Sequence, residues 1–168
     1  MKAVFAFLLA GSSLLAHAQS TNPRAACGTG DLPFTVKLVN EAPVSSAPEP
    51  GKALVFFIQD GGDYSTLAYP TTRIGVDGTW VGANKESSYT ALTVDPGEHH
   101  ACVMVQSSFV DNSTELLHFT AEAGKTYYYR TRMLLAKGME YLEVLPIDSD
   151  QGWYLVTSFP RSTVKSKK

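Results

Sequence analysis

Beyond residue 18 the chain has no apolar run long enough to cross a bilayer, which takes about 20 residues. The remainder is therefore expected to be soluble, without a transmembrane segment. Positive charge is also short. Residues 19–160 carry nine Lys or Arg against all sixteen acidic residues, a balance of −7. A body this acidic excludes a nucleic-acid role, because phosphate binding needs a positive surface. No Gly-x-Ser-x-Gly pentapeptide is present to seat a nucleophile on a strained turn. Ser87, Ser88, Ser107 and Ser108 read as loop or strand-edge residues, so the chain is expected to be non-catalytic and to need no cofactor. Internal repeats are missing, and helical periodicity is almost missing.

What is present begins with an export signal. Lys2 precedes an apolar core, Ala3 to Ala10 with Leu14 and Leu15, and Ala16-His17-Ala18 offers small residues to a signal peptidase. Cleavage after Ala18 predicts a periplasmic or secreted chain of 150 residues, a normal size for one domain. Arg24-Ala25-Ala26-Cys27 ends like a lipobox. Arg24 stands where an aliphatic residue is needed, however, so a lipid anchor is not expected. An even pair of cysteines in an oxidising compartment, Cys27 and Cys102, predicts one disulfide.

Strand signals recur every 8–12 residues with Gly- and Pro-rich turns between them, the mark of a sandwich or barrel. Strands are expected over 34–39, 53–58, 88–94, 99–106, 116–121, 126–135 and 139–145. Asp77-Gly78 between 73–76 and 79–82 predicts a type I′ hairpin, since both residues tolerate positive φ. Asp95-Pro96-Gly97-Glu98 is a second turn. Only 148–158 suits a helix, with Asp148 as N-cap and Gly152 as its weak point. The expected fold is all-β: a seven-to-nine-stranded antiparallel sandwich of Greek-key or immunoglobulin-like type over 19–160. A small closed barrel is the alternative, and 161–168 is expected to be a basic disordered tail.

Four motifs in fixed order resemble the DUF2846 family, bacterial exported proteins and lipoproteins of undefined function. They are Gly51-Lys52-Ala53-Leu54-Val55, Val76-Asp77-Gly78 with Val81-Gly82, Asp95-Pro96-Gly97-Glu98-His99, and Ala123-Gly124-Lys125-Thr126-Tyr127-Tyr128. Cys27-Gly28 and His100-Ala101-Cys102 also look like a branch of that family, and PEGA-type modules are more distantly similar. The resemblance implies a small envelope β-sandwich and brings no catalytic residues with it.

Two constellations could bind. Strand alternation puts Tyr128, Arg130 and Arg132 on one face, an aromatic-plus-guanidinium strip able to stack on a sugar ring or pair with carboxylates. The plain alternative is that both arginines pair with surface acids. The second set is His100, Cys102 and Met104 on one face of a strand, with His118 nearby in sequence. Imidazole and thioether suit copper, so His100, Met104 and His118 define a possible metal set. His118 itself reads more simply as a partly buried sandwich residue. The function expected is a non-catalytic, envelope-associated module that binds a protein or glycan, with a small-ligand or metal carrier as the alternative.

Overall fold

Apolar residues at every second position, broken by turns, give strands whose inner faces must meet, and two sheets do meet here. The computed structural model describes residues 23–30, 34–61, 70–106, 113–136 and 139–166; the leader, 1–18, lies outside them. Ten strands are formed among these residues: β1 Phe34–Val39, β2 Ala53–Gln59, β3 Thr71–Val76, β4 Thr79–Asn84, β5 Ser88–Val94, β6 Gly97–Gln106, β7 Thr114–Ala121, β8 Thr126–Ala136, β9 Met139–Ile147 and β10 Arg161–Ser166. One helix, α1 (Ser149–Ser158), lies between β9 and β10. Six strands form one sheet in the order β1-β10-β5-β2-β8-β9, and four form the other in the order β4-β3-β6-β7. The sheets pack face to face and do not close, so the fold is an open sandwich rather than a barrel.

The β2–β5 pair in one sheet and the order β4-β3-β6-β7 in the other follow an immunoglobulin-like path. The larger sheet departs from purely antiparallel pairing. β8 runs parallel to β2, from Leu54 opposite Thr126 to Gln59 opposite Thr131. β10 also meets β5 in a parallel sense, at Arg161 opposite Tyr89.

β2 is the centre of the structure, and its unbroken apolar run has a simple cause: both its faces are covered. Ala53, Val55 and Phe57 point between the sheets, towards Ile74, Val103, Val105, Tyr129 and Met133. Leu54, Phe56 and Ile58 point outward and are sealed by α1 through Leu155 and Val156. Burying a side chain of this size contributes roughly 1.5–3 kcal/mol. Two polar clamps join the sheets inside the core. Thr72 donates to Gln59 Oε1 at 2.6 Å, and Asn84 Nδ2 donates to the Phe57 carbonyl at 2.9 Å. Thr90 completes the second by donating to Asn84 Oδ1 at 2.7 Å, so these buried amides are not left unpaired.

The helix forms as its sequence suggests. Asp148 is extended, and its carboxylate accepts the Gln151 N–H at 2.8 Å. Gly152, a liability for helix propensity, is what allows the close approach. A Cβ there would fall inside the Tyr128 side chain.

The basic tail is a correction. Residues 161–166 are not a loose end: they form β10, paired with β1 along its full length from Val39–Arg161 to Phe34–Ser166. The charged side chains line the solvent side, where Arg161 bridges to Glu41 at 3.4 Å. The inward position is taken by Ser162, whose hydroxyl meets that of Ser88 at 2.8 Å. A strand whose buried position is a serine carries little hydrophobic signal, so charge dominated its reading. The domain therefore extends past residue 160.

Candidate functional site

Register on the outer face of the larger sheet decides what became of the Tyr128-Arg130-Arg132 strip. On β8 and β9 the outward rungs are Tyr128–Ile147, Arg130–Leu145, Arg132–Glu143 and Leu134–Tyr141. The first rung is not exposed. Tyr128 is buried beneath Gly152 of α1 and stacks on Phe56 with centroids 5.1 Å apart and planes within 5°. That burial pushes its phenol pKa up. Tyr128 is thus a core residue, and the expected three-residue strip is corrected to two. The sequence missed this because the covering element, α1, begins two residues beyond Ile147 and folds back over the strand.

Past the helix the face is open. Arg130 and Arg132 are half-buried, and Leu145 and Tyr141 beside them are 45% and 43% exposed. The Nε of each arginine is buried without a hydrogen-bond partner. Among the described residues neither guanidinium takes part in an ion pair, although Glu143 stands opposite Arg132 in register. Among the described residues the pairing with surface acids anticipated from sequence does not form. A buried N–H without an acceptor costs roughly 1–3 kcal/mol. Those Nε groups are out of a surface ligand's reach, so what this face offers an anion is the terminal NH2 groups of two like-charged guanidiniums.

The four-stranded sheet has its own outer face. Cys27 is bonded to Cys102 of β6, which holds the 3-10 turn Pro23–Ala26 and Gly28 against the sheet. Gly75 leaves room for this segment: a Cβ there would lie 3.0 Å from the Ala26 carbonyl. Trp80, Met104, Ala26 and both cysteines form a satellite cluster. Arg73 lies within it, 4.6 Å from the Trp80 ring centre and 3.0 Å from Met104 Sδ.

Of the possible metal set, two members meet. His100 and His118 are cross-strand partners with ring centroids 4.8 Å apart, and both are exposed. His118 is not the partly buried residue expected, because its face of β7 points to solvent and Phe119 and Ala121 take the core side. Met104 is two rungs further along β6, buried and engaged by Arg73. No group of three or more His, Cys, Asp or Glu side chains suited to a metal occurs among the described residues.

A further constellation was unforeseen. The four motifs gather at one end of the sandwich and bond to one another. His99 Nδ1 meets Asp77 Oδ2 at 2.6 Å, and its Nε2 meets the Asp95 carbonyl at 2.8 Å. Asp77 Oδ1 accepts the His100 N–H at 2.9 Å. Lys52 bridges to Asp95, and its carbonyl accepts the Gly124 N–H at 2.8 Å. Burial opposes protonation of His99, but the Asp77 carboxylate and Asp95 outweigh it and raise its pKa. Lys52 lowers that of Asp95. Both ring nitrogens of His99 are occupied, so the arrangement serves as a brace between turns; proton transfer would first require breaking it.

No family model, curated protein or solved structure matches this chain.

Proposed function

We propose that this chain is an exported, non-catalytic, envelope-associated binding module that works through the outer face of β8 and β9. One observation carries the reading: Arg130 and Arg132 lie on alternate rungs of a face that α1 leaves uncovered, and neither guanidinium is ion-paired among the described residues. Export is supported by the leader sequence and by the Cys27–Cys102 bond, which suits an oxidising compartment. The non-catalytic reading is supported by the engagement of His99 on both sides. The metal-carrier alternative has less support, since Met104 stands apart from the His100–His118 pair.

The test is retention of the mature chain on an envelope fraction. Wild-type protein is expected to be retained, and the R130Q/R132Q variant, which keeps Tyr128 and the core, is expected to be lost. Equal retention of both would refute the assignment of this face.

A further inference from the structure

Resting on that binding-face reading, we infer that the ligand of the Arg130–Arg132 face is a carboxylated polysaccharide lying flat across the outer rungs of β8 and β9. Four features point to this chemistry. The two arginines are alternate residues of one strand, their backbones about 7 Å apart. Each guanidinium is planar and suited to a forked bond with a carboxylate through its two terminal NH2 groups. No ion pair among the described residues engages either guanidinium. Finally, Leu145 and Tyr141 flank the pair on β9, 45% and 43% exposed, offering an apolar surface and a phenol ring to the C–H face of a sugar.

The same face disfavours an acidic peptide added along the edge of β9. Pro146 lacks an N–H for a ladder, and Glu143 would meet the acidic side chains of an added strand. A ligand resting on the face needs no backbone ladder. It would place its carboxylates over β8, inboard of Glu143. The acidic body matters as well. With sixteen acids against thirteen Lys or Arg over 19–168, the chain has a small net negative charge and no long-range attraction for polyanions, so any binding must come from a local, matched contact.

The experiment measures binding of the mature, oxidised chain to polygalacturonate, with dextran, dextran sulfate and poly-L-glutamate in parallel. Polygalacturonate is expected to bind and dextran not. R130Q and R132Q are each expected to weaken binding on the order of tenfold, since a charged hydrogen bond is lost. L145S and Y141S should weaken it less, and E143Q should tighten it by up to about fivefold. A gain of that kind cannot come from misfolding. Melting curves confirm that the weakened variants stay folded.

Dextran sulfate binding as well as polygalacturonate, with no effect of L145S or Y141S, would mean charge attraction alone and overturn the saccharide assignment. Poly-L-glutamate binding in place of polygalacturonate would overturn the ligand class and leave the face intact. Failure of all four polymers, with envelope retention still dependent on both arginines, would do the same. If retention were also indifferent to the arginines, the face itself would fall.

Discussion

Removing the disulfide gives the sharpest test of how this sandwich is held together. Cys27 and Cys102 are 75 residues apart, and the bond closes a loop that includes β1 to β5 and half of β6. Chain-entropy reasoning for a loop of that length gives about 4–5 kcal/mol of stabilisation, by restricting the unfolded chain. The native state would lose contacts too, because the bond holds Ala26 and Cys27 over Gly75, Met104 and Trp80. C27A/C102A is therefore expected to lose at least 4 kcal/mol, roughly 10–20 °C in melting temperature for a domain of this size. Urea unfolding of the mature protein, followed by tryptophan fluorescence, measures the difference; Trp80 sits in the affected cluster and Trp153 on α1 reports from the opposite sheet. Wild-type protein under reductant should unfold at nearly the same urea concentration as the variant. A loss below about 1 kcal/mol would show that the unfolded chain is already constrained in this region, and the entropy argument would fail.

Three other perturbations address separate parts of the structure. G152A should destabilise by about 1 kcal/mol or more, because overpacking against the immobile Tyr128–Phe56 stack exceeds the helix-propensity gain of about 1 kcal/mol. Q151A on the exposed side of the same helix should change stability by less than about 0.5 kcal/mol, and a neutral or stabilising G152A in thermal melts would contradict the packing. The raised pKa of His99 means that its bonds to Asp77 and Asp95 contribute fully below the unfolded value of about 6.5 and fade as pH rises through the folded value. The stability gap between wild type and H99Q should then be larger at pH 5.5 than at pH 8.5, and a gap independent of pH would rule this out. Deleting residues 161–168 should release β1; hydrogen exchange is expected to show loss of protection across 34–39, and unchanged protection there would refute the pairing.

Much of this fold was legible in the sequence because strand and turn chemistry are local. Phe34–Val39 and Ser88–Val94 were placed to the residue. The Asp77-Gly78 hairpin followed from the need for positive φ, which the structure shows at 49° and 79°. Asp148 could be recognised as an N-cap because its carboxylate needs only the N–H three residues on. What escaped was information held between distant segments. The parallel β2–β8 pairing depends on a crossover through β3 to β7, and no local pattern specifies it. β10 was hidden because its inward residue is a serine satisfied by another serine 74 positions away. Tyr128 alternated correctly with Arg130 and Arg132, yet period-two reasoning cannot say that a later helix covers one rung and leaves the next two bare.

The division between scaffold and surface follows from where hydrogen bonds are satisfied. At the motif end of the sandwich, both ring nitrogens of His99, both oxygens of Asp77 and the carbonyl of Lys52 have partners. The most recognisable residues of the sequence thus do the work of joining turns, and their chemistry is consumed in doing it. Arg130 and Arg132 present the opposite case. A half-buried rung of an outward sheet face would be filled with less strain by threonine or valine, which fit a pleated surface and bury no N–H. Instead the chain holds two like charges on alternate residues of one strand and seals an unpaired donor on each. A local choice that opposes stability without an internal compensation fits the binding face proposed above. If an Arg130 or Arg132 Nε were found bonded to a protein carboxylate in the free protein, the strain would vanish, and with it the reason to place the ligand on this face.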